Sequence, residues 1–248
     1  MSVKENMVLC LSGFDPTGGA GMLADIKAIE AIGAYGMGII TANTTQTESQ
    51  FISSGWINQE YLINQLTTLL KTYQFKAVKI GIIESFSLLE KVIDIINENN
   101  PDIKIIWDPV LKSTSGHKFH SQINQDLLFN ILSKISLITP NLIEYKVLFE
   151  NKHANELSTN CPVLLKGGHG NSHQITDRLY INDKEYQFNG TRSKYSKHGS
   201  GCVLSSAIAS FLAQNNSLIK ACEKAKKYLN YFIDSDQSLL GKHLYNNG

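Results

Sequence analysis

The sequence predicts an α/β protein built on a mainly parallel sheet, and three observations carry the prediction. Short apolar runs alternate with longer patterns of helical period along the chain, the signature of repeated βαβ units. The residues that break these patterns, rich in Gly, Asp and Pro, fall where the apolar runs end. After Lys166 the pattern changes to two runs around Asn182-Asp183, which predicts a small antiparallel hairpin at the sheet edge.

In chain order, the apolar runs predict strands over 7–11, 38–42, 77–82, 103–107, 137–139 and 162–166. Between them, helical periodicity predicts helices over 21–32, 58–73, 85–97, 124–134 and 142–150. Right-handed crossovers place such helices on both faces of the sheet. The hairpin takes 178–181 and 184–188, and two helices over 201–215 and 218–233 finish the chain.

A chain of 248 residues suffices for one large α/β domain. Without an internal repeat or a Pro/Gly/Ser-rich linker, a single domain over 1–248 is expected. A formal charge of +1 gives no reason to invoke nucleic acid or an anionic membrane, so the expected partner is a small molecule. Lys224, Lys226 and Lys227, with Glu223 beside them, are expected to form a solvated helix face. Cys10, Cys161, Cys202 and Cys222 form no C-x-x-C pair, which suits a reducing cytoplasm better than a disulfide framework or a zinc knuckle. The run after Met1 is too short for a signal h-region or a membrane span, so no export is expected.

The strand ends carry the chemistry, because ligands in open α/β sheets bind outside the carboxyl ends of the strands. The segment His198-Gly199-Ser200-Gly201-Cys202 forms a glycine loop opening onto a helix, a backbone cradle for an anion. Cys202 falls in the first turn, where the helix's positive end is expected to lower its pKa and make it a candidate base. The plainer alternative is an ordinary helix start with a small core cysteine. The loop from Gly13 to Gly21 lacks the Gly-Lys-Ser/Thr ending of a P-loop and the dinucleotide spacing, but lets a flat ligand lie against backbone. Asp25, early in the next helix, suits a ligand amine or hydroxyl, or else serves the helix dipole.

Asp108 ends an apolar strand and Pro109 stops the ladder, leaving the carboxylate facing the crevice. Asn141 and Glu144 share a helix face and suit Mg²⁺-bound waters, although Asn141 equally suits a plain N-cap. Lys166, in Lys-Gly-Gly-His, can bring a cation to a nucleotide phosphate or be a surface lysine at a turn. The pairs His117/His120 and His169/His173 have metal-like gaps, but no carboxylate or thiol set completes either.

These segments, together with Gln46, Lys79-Ile80-Gly81, Asp108-Pro109-Val110 and Thr139-Pro140-Asn141-Leu142-Ile143-Glu144, resemble in order the hydroxymethylpyrimidine/phosphomethylpyrimidine kinases of thiamine biosynthesis. The resemblance implies a ribokinase-like three-layer α/β/α sandwich. It implies ATP-dependent phosphorylation of 4-amino-5-hydroxymethyl-2-methylpyrimidine, then of its monophosphate, with Mg²⁺ and in a homodimer. By position, Asp25 and Gln46 would bind the pyrimidine, with Gly13, Ala20, Val110 and Ile82 around it. Asp108, Asn141, Glu144 and Lys166 would face the nucleotide, with Asp108 and Glu144 holding Mg²⁺ through water. Gly199, Ser200, Gly201 and Cys202 would supply the anion hole and the base.

Two departures stand out. Thr114-Ser115-Gly116-His117 replaces the Lys-Ser-Gly-Asp common in relatives, removing a cation near the phosphates unless Lys112 or Lys118 substitutes, which exposes the second phosphorylation most. The connection from Asn151 to Cys161 is short and is expected to lack a peripheral helix. Two rival readings remain: a pyridoxal kinase of the same fold, and a catalytically silent pyrimidine-binding protein.

Overall fold

The computed structural model describes residues 6–111, 123–150, 152–168 and 174–244. Within them the chain runs β1 (Met7–Phe14), α1 (Gly21–Ile32), β2 (Tyr35–Gln46), β3 (Phe51–Trp56), α2 (Gln59–Thr72), β4 (Ala77–Ile80), α3 (Phe86–Asn99), β5 (Lys104–Trp107) and α4 (Gln125–Leu132). It continues with β6 (Leu137–Ile138), α5 (Leu142–Phe149), α6 (Ala154–Leu157), β7 (Val163–Leu165), β8 (Gln174–Ile181), β9 (Lys184–Thr191), α7 (Ser200–Ala213) and α8 (Leu218–Asp234). These strands form one sheet in the order β3-β2-β1-β4-β5-β6-β7-β8-β9. The six from β2 to β7 run parallel, while β3 pairs antiparallel with β2 at one edge and β8 pairs antiparallel with both β7 and β9 at the other.

Alternation along the central strands builds two cores. Met7, Leu9 and Leu11 of β1 face one cluster with Leu66 of α2 and Val92 of α3, and Val8 and Cys10 face the other with Ala28 of α1, Ile208 of α7 and Tyr228 of α8. A strand buried on both faces must be apolar at successive positions, which is why these runs are continuous rather than alternating. The result is the expected three-layer α/β/α sandwich with a mainly parallel sheet.

Three local expectations are corrected. Strand β3 was not anticipated, because Phe-Ile-Ser-Ser-Gly-Trp offers little apolar alternation; it forms by pairing with the outer part of β2. The connection before Cys161 does contain a helical turn, α6. Lys226 does not belong to a solvated face: it is buried, with Nζ 2.7 Å from Asp177 Oδ2. The hairpin turn falls where expected, since Asn182 and Asp183 both have positive φ, 47° and 63°, as a two-residue type I′ turn requires.

Candidate active site

One cleft of about 920 Å³ opens at the carboxyl ends of the parallel strands, where the sequence places its unusual residues. It is lined by Gly13 near the end of β1, Ala20 at the start of α1, Gln46 from β2, Ile82 after β4, Asp108 and Val110 after β5, and Asn141, Glu144 and Lys166 further along. Gly199, Ser200, Gly201 and Cys202 close it from the start of α7. Side chains distant in sequence meet here because each parallel strand delivers its end to the same edge.

Two helices begin at this space without a capping side chain from their N-cap residue. Among the described helices of eight residues or more, α1 and α7 lack a side-chain cap, whereas α2, α3, α4, α5 and α8 are capped by Asn58, Ser85, Asn124, Asn141 and Ser217. Uncapped first-turn amides favour an anion. The cap of α7, Gly199, has φ 74° and a side chain there would strike the Gly19 carbonyl; only glycine lets the two loops touch in this way.

The centre of the cleft is charged. Lys166 Nζ lies 2.8 Å from Asp108 Oδ1 and 3.9 Å from Glu144 Oε2. Asp108 also accepts from Thr139 Oγ1 at 3.1 Å and Ser205 Oγ at 3.3 Å. Burial would raise its carboxyl pKa, but Lys166 and Lys79 outweigh that and hold it below the ordinary value. Glu144 is pushed up to about 7, chiefly by burial and further by Asp108, with Lys166 opposing. Asn141 is indeed an N-cap: its side chain accepts from the Ile143 and Glu144 amides while Glu144 Oε2 accepts from the Asn141 amide at 2.7 Å, a capping box. Gly201 completes this corner, a Cβ there standing 3.3 Å from Lys166 Nζ.

Two expectations about this site are corrected. Asp25 does not line the cleft; it is fully buried, bonded to Ser12, to Ser206 Oγ at 2.7 Å and to Lys79 Nζ at 2.8 Å. Its carboxylate is turned to these buried partners rather than to the cleft. The Cys202 thiol does lie in the first turn of α7, but its pKa is raised to about 11 rather than lowered. Burial dominates, while Lys79 and the Gly21 amide pull the other way. The segment 112–122, with Lys112, Thr114, Ser115, Gly116, His117, Lys118 and His120, and the segment with His169 and His173, lie outside the described residues.

Sequence reasoning gave no role to Asp15, Lys79 or His198, which also line the cleft. His198 Nε2 meets Asp15 Oδ2 at 2.9 Å, and the His198 amide donates to the Leu239 carbonyl at 2.9 Å. Lys197 Nζ bonds the carbonyls of Asp236 and Ser238, so the segment after α8 buttresses the loop that opens α7. For Lys79 the available signal was a charge inside the apolar run Ala-Val-Lys-Ile.

The fold is that of known small-molecule kinases. The structure of pyridoxal kinase from Staphylococcus aureus in complex with AMP-PCP and pyridoxal superposes with a TM-score of 0.83 at 23% identity, covering 96% of this chain and 93% of that one. Phosphomethylpyrimidine kinase from Clostridium difficile 630 gives a TM-score of 0.75 at 28% identity, covering 90% of this chain and 97% of that one. Fold and cleft together define a ribokinase-like kinase. Within that class the family model described as phosphomethylpyrimidine kinase matches residues 15–246, and the hydroxymethylpyrimidine/phosphomethylpyrimidine kinase of Aquifex aeolicus (strain VF5) is 31% identical over 94% of this chain and 96% of its own length. The chain belongs to the phosphomethylpyrimidine kinase family.

Proposed function

We propose that this chain transfers the γ-phosphoryl group of ATP to the hydroxymethyl group of 4-amino-5-hydroxymethyl-2-methylpyrimidine and then to the resulting monophosphate, in thiamine biosynthesis. The observation that carries the reading is that the uncapped start of α7, with Cys202 in it, faces the same cleft as the Lys166–Asp108 pair. Phosphoryl transfer needs alignment of a hydroxyl with the γ-phosphate and neutralisation of spreading charge, with little covalent work by the protein.

The residues divide that work. Gln46, Gly13, Ala20, Ile82 and Val110 form a wall of backbone, apolar side chains and one amide against which a flat aminopyrimidine can lie. The amides of Gly199, Ser200, Gly201 and Cys202 receive the moving phosphoryl oxygens. The Cys202 sulfur, once deprotonated, accepts the hydroxyl proton. Lys166 approaches the nucleotide phosphates, with Asn141 shaping the turn beside it.

Asp108 and Glu144 suit a magnesium ion held through water. Both carboxylates already share one cation, Lys166, and further positive charge would favour the ionised form of Glu144, whose pKa burial pushes up to about 7. Magnesium commonly retains several waters and is held by one or two carboxylates, which is what these two side chains offer. When bound, the ion supplies neutralisation of the phosphate oxygens.

The reading extends to one domain over 1–248, acting as a homodimer in the cytoplasm. The four free cysteines suit a reducing compartment, and no described helix is long and apolar enough to cross a membrane. Incubation with Mg-ATP and the pyrimidine alcohol, followed by mass analysis, tests the proposal: mono- and diphosphate products are expected. Phosphorylation of pyridoxal but not of the pyrimidine overturns it in favour of a pyridoxal kinase, and binding without ADP release in favour of a silent binding protein.

A further inference from the structure

Lys79 and Asp25 are both withdrawn from solvent, with Nζ 2.8 Å from Oδ2. Such a pair adds little stability over apolar residues of the same size, so packing alone does not account for it. Its surroundings point upward to the cleft. Asp25 Oδ1 accepts from Ser206 Oγ at 2.7 Å, and Ser206 follows Cys202 by one turn on the same face of α7. Cys10 is the register partner of Lys79 on β1 and is fully buried. Gly81 leaves the space the ammonium needs, since a Cβ there would stand 2.9 Å from Lys79 Nζ. Lys79 itself lines the cleft with Cys202, whereas Asp25 does not.

We propose that Lys79 is a positioning residue for the Cys202 sulfur, its ammonium anchored by Asp25 beneath the first turn of α7, where it stabilises the thiolate that accepts the hydroxyl proton. The proposal deepens the kinase reading and rests on it. The charged and titratable groups acting on the sulfur are Lys79 from β4, Asp25 from α1, Asp108 after β5, Cys10 from β1 and Lys166 after β7, together with the Gly21 amide. Lys79 outweighs either carboxylate in its effect on the thiol. Asp25 has two consequences: it keeps Lys79 charged despite burial, and it offsets part of the benefit to the sulfur.

Because Lys79 outweighs Asp25 at the sulfur, losing its charge by either route raises the titration of the thiol, and the test uses that. The probe is iodoacetamide, and the readout is the pH midpoint of Cys202 alkylation in the folded protein, followed by peptide mass analysis. Asp25→Asn, which removes the anion that keeps buried Lys79 charged, is expected to raise the midpoint. Adding Lys79→Met to Asp25→Asn is expected to keep it above the wild-type value with little further change, and Lys79→Gln alone is expected to raise it by about one unit or more. Midpoints that stay together in folded variants overturn the proposal. So does failure of all three variants to fold, which would make the pair a folding element. Alkylation requires no turnover, so this result stands apart from the product analysis: absent phosphorylation by the wild type defeats the kinase reading, whereas unmoved midpoints defeat only the role of Lys79.

Discussion

His198 Nε2 lies 2.9 Å from Asp15 Oδ2, and this buried contact ties the loop that opens α7 to the loop that opens α1. Asp15 also accepts from the Thr17 and Ala20 amides, each at 2.9 Å, so one carboxylate sets the spacing between both uncapped helix ends. Burial works against its charge, but the His198 contact and these amides hold its pKa below the ordinary value. Asp15→Ala is expected to cost about 3 kcal/mol in urea unfolding at neutral pH, as for other broken buried polar networks. A depressed carboxyl contributes stability above its unfolded pKa and loses it as the pH falls through the folded value. The difference in Tm between wild type and variant should therefore narrow below about pH 4. A constant difference would remove the charge of Asp15 from the account.

Cys202→Ala is expected to lower kcat by about 10²- to 10⁴-fold, the usual worth of a general base, with little change in KM for the pyrimidine. The thiol pKa of about 11 adds a condition. The sulfur is mostly protonated at neutral pH and must lose its proton before it can accept another, so wild-type turnover should rise from neutral pH towards the alkaline side. Steady-state rates across that range check both points. Wild-type turnover in the variant, or a flat profile, would move the base elsewhere.

Much of this architecture was legible because it rests on local pattern. Burial on both sheet faces makes β1, β4 and β5 continuous apolar runs, and α1 begins and ends where its periodicity does. Strand β3 was hidden because its residues are poor in apolar alternation and its partner, the outer part of β2, supplies the order. The cleft was legible as glycines and carboxylates at strand ends. Asp25 was misplaced because its decisive partners, Lys79 and Ser206, lie 54 and 181 residues away. A carboxylate on a helix face looks the same in sequence whether it meets a ligand or a buried ammonium. The thiol pKa was misjudged for a related reason: the helix end is a local feature, whereas the desolvation that outweighs it belongs to the assembled cleft.

Lys166 joins the two carboxylates proposed for the nucleotide side. Lys166→Met keeps most of the side-chain volume and removes the charge, leaving buried Asp108 without its nearest cation. Expected are a rise of about tenfold or more in KM for Mg-ATP, the worth of one charge-assisted phosphate contact, and a loss of about 3 kcal/mol in stability from the broken pair. Initial rates at varied ATP and urea unfolding measure the two effects separately. A raised KM for the pyrimidine alone would place Lys166 on the acceptor side.

Glu144 supplies a pH dependence of opposite sign to that of Asp15. Its folded pKa, about 7, exceeds the usual carboxylate value mainly because the side chain is buried. Between the two values the folded chain holds a proton that the unfolded chain has released. Its contribution to stability is therefore complete at about pH 4 and is lost as the pH rises through about 7. Glu144→Gln mimics the protonated form and keeps an oxygen for the Asn141 amide that the carboxylate now receives at 2.7 Å. The wild type should thus lose stability relative to this variant on going from about pH 5 to about pH 8, read from urea midpoints at both. The reverse trend would mean that the Lys166 ammonium, 3.9 Å away, outweighs burial and keeps Glu144 ionised throughout.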